Sequence, residues 1–166
     1  VLAIIPPMAA IVVLFFGKAQ TFLDRLPLKT LLWMNIVRIP VELVLYWLFL
    51  HQVMPEEVTF SGRNFDIITG ITTPLIALFF LPITKKSYPI LLIWNLITIA
   101  MLISVVVHAI LSAPTVFQQF GESLVGFGVI RVPYILLPAL IVPAAFFTHF
   151  LVFRRLFAFR REGNES

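Results

Sequence analysis

The chain has 166 residues, of which 60% are apolar and only 12% charged, and its mean hydropathy is +1.03. A soluble domain of this size cannot hide so much apolar surface, so lipid must solvate a large part of it, and no length is left for a separate soluble module. The net charge of +4 is scattered between apolar runs and at the C-terminus, which excludes a nucleic-acid patch, and the lack of cysteine excludes disulfides, thiolate chemistry and sulfur-ligated zinc or iron.

Five apolar runs predict an all-α transmembrane bundle, one domain over 1–166, with spans at about 2–16, 29–53, 65–83, 88–111 and 132–153 and a basic tail over 154–166. A span needs about 20 residues, and uniformly apolar runs suit helices, not barrel strands. The first run, Leu2–Phe16, is short and follows Val1-Leu-Ala-Ile-Ile-Pro6-Pro7 with no initiating Met. It reads as part of a processed or incomplete N-terminus, with one upstream helix missing. Lys18, Arg25, Lys29, Lys85, Lys86, Arg154, Arg155, Arg160 and Arg161 fall on alternate connections. Glu56, Glu57, Asp66 and Glu122 fall on the others, with Arg63 and Arg131. Basic residues favour the cytoplasmic side, which predicts the visible N-terminus outside and the C-terminus in the cytoplasm.

The second run carries Asn35, Arg38, Glu42 and Tyr46. At about 100° per residue these share one sector, and charge at membrane depth faces protein or a water-filled cavity. Pro40 between them bends the helix and frees a carbonyl. Arg38 and Glu42 read either as a buried pair that ties helices together or as a site for a small polar solute, ion or proton. In the second case the arginine holds an anionic group and Glu42 exchanges a proton.

The third run places Asp66, Thr69, Gly70, Thr73 and Ala77 on one face, whose small and hydroxyl residues permit close approach to the Arg38/Glu42 stripe. Asp66 is expected above, at the outer surface, and Asn64 reads as an N-cap. The fourth run repeats part of the second: Leu31-Leu32-Trp-Met-Asn35 is echoed by Leu91-Leu92-Ile-Trp-Asn95, as a repeated hairpin of parallel topology would produce. In the fifth run Arg131, Tyr134, Pro138, Ala145 and His149 share a side. Arg131 could pair with Asp66, and His149 lies at the level of Asn35 and Asn95. The outer loop over 112–131 holds Phe117, Phe120 and Phe127 among glycines, which suits an interfacial or re-entrant segment or a surface that meets partners. Trp33, Trp47 and Trp94 suit packing as much as an interfacial belt.

His51 and His108 lie at the outer ends of their runs, where facing histidines could ligate a b-type haem. Ser104 and His108 share a face without an orienting acid, and hydrolase, phosphate-loop and dinucleotide motifs do not occur. No metal site is predicted. The order of readings is therefore a membrane protein that binds or passes a small solute, ion or proton; an accessory or assembly subunit of a larger membrane complex; and an intramembrane enzyme or haem protein. The partners expected are the bilayer and other membrane subunits or a second copy.

Arg38-x-Pro40-x-Glu42 with Leu45-Tyr46, Phe60-x-Gly62-x-Asn64-Phe65-Asp66-Ile67, Leu111-Ser112-Ala113-Pro114 and Thr148-His149 resemble a set of uncharacterised bacterial integral membrane proteins. The resemblance runs from about Asn35 to Leu156. It implies a bacterial inner membrane and brings no activity with it.

Overall fold

The computed structural model describes Ala9, Leu23 and residues 25–113, 116, 118–119 and 136–165. The described elements are all helical. Helix α1 (Leu28–Leu50) is followed by a loop with a short 3₁₀ turn (Glu56–Val58), then by α2 (Ile67–Phe79) and α3 (Ser87–Ser112). A π-helical turn (Leu137–Ile141) leads into α4 (Val142–Glu165).

Helices α1 and α3 and the segment Leu137–Glu162 are long and apolar enough to cross a membrane. Helix α2 has 13 residues, short of the about 20 that a span requires, so the predicted span over 65–83 is a shorter apolar helix. Its end is abrupt: Phe80 leaves the helical region and a cis Leu81–Pro82 bond follows. Apart from Ala9, the predicted first span, 2–16, lies outside the described residues. The basic segment expected as a tail continues α4 as far as Glu165.

Buried residues follow helical spacing. They are Leu31, Asn35, Arg38, Glu42 and Leu45 on α1, Leu91, Asn95, Thr98 and Leu102 on α3, and Ala145, Thr148, His149, Val152 and Leu156 on α4. These three- and four-residue steps keep one stripe of each helix turned inward. The opposite faces show Leu43, Trp47, Ile93, Leu96, Ile97 and Phe150 exposed, as a lipid solvent allows. One apolar cluster joins Leu31, Leu32, Ala77, Leu91, Leu151 and Leu156, and a second joins Leu45, Leu48, Met54 and Val58. Along α1 a polar layer of Asn35, Arg38 and Glu42 lies between them.

Prolines shape that layer. Pro40 has no N–H for the carbonyl of Ile36, and α1 tightens to a 3₁₀ turn over Met34–Val37. At about three residues per turn, Asn35 and Arg38 come into line. In α4 the missing N–H of Pro143 coincides with the π turn Leu137–Ile141, which ends two residues earlier. Gly70 sets the α1–α2 crossing: a Cβ there would meet Ile39 Cγ1 at 2.7 Å and Ile39 N at 3.3 Å.

Candidate functional site: a buried arginine–carboxylate layer

Arg38 is 2% exposed, and its guanidinium reaches two other helices. Nη1 donates to Asp66 Oδ1 in an ion pair, and Nη2 lies 2.8 Å from His149 Nε2. Arginine has no acceptor, so Nε2 must accept and the imidazole carries its proton on Nδ1. That nitrogen sits 2.7 Å from Asn95 Oδ1, and Asn95 Nδ2 donates back to the His149 carbonyl at 3.2 Å. A continuous hydrogen-bonded chain thus runs from α2 through α1 and α4 to α3.

Glu42 is 2% exposed and bonded differently. Its Oε1 accepts from Asn64 Nδ2 at 2.6 Å, while Asn64 also donates to Val58 O at 3.1 Å and accepts from the Asp66 N–H at 2.9 Å. The loop supplies this geometry. Thr59 bonds Glu56 O at 2.8 Å, and Gly62 lies so close to the Glu56 backbone that a Cβ would collide with its carbonyl. The tight fold turns Asn64 back onto α1.

The expected Arg38–Glu42 pair within one helix is therefore replaced by an interhelical Arg38–Asp66 pair. Arginine preceding glutamate is the less favourable order for contact along a helix, and Gly70 brings the start of α2 close enough to compete. Asp66, expected at the outer surface, is 5% exposed. Thr69 Oγ1 donates to its carboxylate at 3.3 Å, whereas Thr73 bonds its own helix at Thr69 O at 2.7 Å. Asn35 donates to Leu31 O and Leu32 O at 3.4 and 3.3 Å. Tyr46 lies at the edge of the stripe with its ring 4.8 Å from that of Phe60. Arg131, and with it the suggested Arg131–Asp66 pair, lies outside the described residues, as do Phe117, Phe120 and Phe127.

His51 and His108 each turn back to their own helix. His51 Nδ1 lies 2.9 Å from Trp47 O and His108 Nδ1 2.8 Å from Ser104 O. Among the described residues no three histidine or carboxylate side chains converge as a set of metal ligands.

The expected N-cap, Asn64, lies two residues before the residue that caps α2, Asp66, and instead holds Glu42. Asn95, which shares the level of Asn35 and His149, finds its partner in the His149 ring. An amide in the middle of a long apolar helix is itself a signal, because lipid offers it no partner.

Arg38, Glu42 and Asp66 form the polar part of a cavity of about 80 Å³ whose other walls include Val41, Leu45, Val58, Leu102 and Val142. That is room for a few waters or a small ion. Among the described residues, Glu42 Oε2 and Arg38 Nε are buried without a hydrogen-bond partner. The layer holds one guanidinium against two carboxylates.

Fold and site together define a helical membrane bundle organised around a buried arginine–carboxylate layer. The chain belongs to the family described as Domain of unknown function (DUF8737), whose model matches residues 1–157. No curated protein and no solved structure matches it.

Proposed function

We propose that this is a small multi-pass membrane protein of a bacterial inner membrane that binds and releases a proton or a small monovalent cation at Glu42. In this reading the basic ends face the cytoplasm, and the Arg38–Asp66–His149–Asn95 chain holds the site in shape. The observation that carries it is the buried Glu42 Oε2, unpartnered at the cavity while both terminal nitrogens of Arg38 are engaged elsewhere. A buried acceptor without a donor is costly, and a proton or a hydrated cation removes that cost. With both carboxylates ionised the layer carries one excess negative charge, which a single monovalent cation offsets. Of the Arg38 guanidinium nitrogens only Nε is left to offer an anion, which would also meet two carboxylates, so capture of an anion is a poorer fit.

Glu42→Gln tests the reading without removing the Asn64 bond, since an amide oxygen also accepts. Wild-type protein in vesicles should show a pH- or cation-dependent infrared band from the carboxyl group and a matching uptake of protons or cations. Both should vanish in Glu42→Gln while the melting temperature stays close to wild type. Wild-type-like uptake in the variant rejects the proposal. A second reading rests on the hydrogen-bonded chain joining all four helices: a tie that shapes an accessory subunit. Its sign would be stability loss in Arg38→Ala with no ion or proton response in the wild type.

A further inference from the structure

A groove of about 640 Å³ opens at the basic end of the bundle, between the start of α1, the end of α2 and the last turns of α4. Lys29 and Arg155 line it, with Leu78, Pro82 and Phe159 among its apolar walls and Glu162 as its acid. Arg155 is held in place, because its Nη2 donates to Leu26 O at 2.7 Å. Phe159 is backed by Tyr88, whose ring stacks at 6.3 Å. Leu78 is 64% exposed, so the apolar wall continues onto the surface that faces lipid.

We propose that this groove binds the headgroup of an anionic glycerophospholipid, with the phosphodiester between Lys29 and Arg155 and the acyl chains along Leu78 and Pro82. Charge complementarity selects the occupant. The lining carries two cations against one carboxylate, and a positive end of a helical bundle sits beside a leaflet of anionic lipid. A guanidinium anchored by a backbone carbonyl presents its remaining donors in a fixed direction, and phosphate oxygens match its fork geometry. The apolar walls suit a lipid and not a free anion. The site is separate from the Glu42 cavity, and the two stand or fall independently.

The test is the full-length chain in detergent, titrated with short-chain phosphatidylglycerol, short-chain phosphatidylcholine and inorganic phosphate, with melting temperature and native mass spectrometry as readouts. Phosphatidylglycerol should bind saturably and more tightly than phosphatidylcholine, and Lys29→Gln should weaken it about fivefold. Glu162→Gln should strengthen it, a gain that misfolding cannot produce. Arg160→Gln, which removes an exposed charge of the same helix outside the groove, should leave it unchanged, as should Glu42→Gln. Equal loss in Arg160→Gln and Lys29→Gln would overturn the groove in favour of a diffuse basic face. Equal binding of the two lipids, or the same stabilisation by inorganic phosphate alone, would overturn the lipid site.

Discussion

Asp66 and His149 grip the Arg38 guanidinium from two different helices, so each side chain in the layer depends on a neighbour that is remote in sequence. Taking a charge out of water is expensive, and the attraction within a pair offsets that cost only while both partners are present. Asp66→Ala should therefore lower the unfolding free energy by about 3–5 kcal/mol, because it removes the carboxylate that is ion-paired to the buried arginine. Replacing both residues, as Arg38→Leu with Asp66→Leu, should cost less than the sum of the two single changes. Denaturant titrations of the double variant and of Arg38→Leu and Asp66→Leu alone, in detergent, measure this, and strictly additive losses would contradict the pairing. Asn95 acts one step further out. It sets the imidazole tautomer that lets Nε2 accept from Arg38, so an amide on α3 controls a contact between α1 and α4.

At the scale of the helix, irregular backbone gathers where the polar residues do. The 3₁₀ turn of α1 covers Asn35 and ends just before Arg38, and the π turn that precedes α4 shares the cavity through Leu137, Pro138 and Ile141. Departure from regular helix at membrane depth is tolerated where it is buried in protein or lines a cavity, and this placement fits that rule. Helix α2 is too short to span and instead brings Asp66, its N-cap, and Thr69, in its first turn, to the layer. Its crossing with α1 relies on Gly70, so Gly70→Val should push the helices apart and cost about 1–3 kcal/mol through overpacking. Ile71→Val, one residue on and 55% exposed, is the control that should stay near wild type. Thermal melts of the two variants side by side decide the point, and equal melting temperatures would remove Gly70 from its role at the crossing.

For the molecule as a whole, the described helices bury a polar middle between two apolar clusters and turn an apolar coat outward, the reverse of a soluble bundle. Trp33 and Trp47 belong to that coat at 40% and 50% exposure, whereas Trp94 is half-buried and donates to Thr72 Oγ1 at 3.0 Å. In vesicles of spin-labelled lipid, single-tryptophan variants retaining Trp33 or Trp47 should lose most of their fluorescence, and one retaining Trp94 should be quenched less. Equal quenching of all three would mean that Trp94 is not held against Thr72 of α2. The four-helix layer also explains why no single span holds the site: α1 supplies the arginine and glutamate, α2 the aspartate, α3 the amide and α4 the histidine.

The amino-acid sequence alone determined the solvent and the inward faces. Hydropathy over long runs requires lipid, and helical periodicity places Asn35, Arg38 and Glu42 on one stripe and Thr69, Gly70, Thr73 and Ala77 on another, because both are properties of a single segment. Tertiary structure decided the pairing. Whether Arg38 meets Glu42, Asp66 or His149 depends on helix crossings fixed by Gly70 and the prolines, and on a loop folded tightly enough at Gly62 to bring Asn64 onto Glu42. Those are distances between segments, and no local pattern encodes them. The same crossings left Glu42 Oε2 without a partner beside a small cavity, which is the feature that points beyond architecture to chemistry.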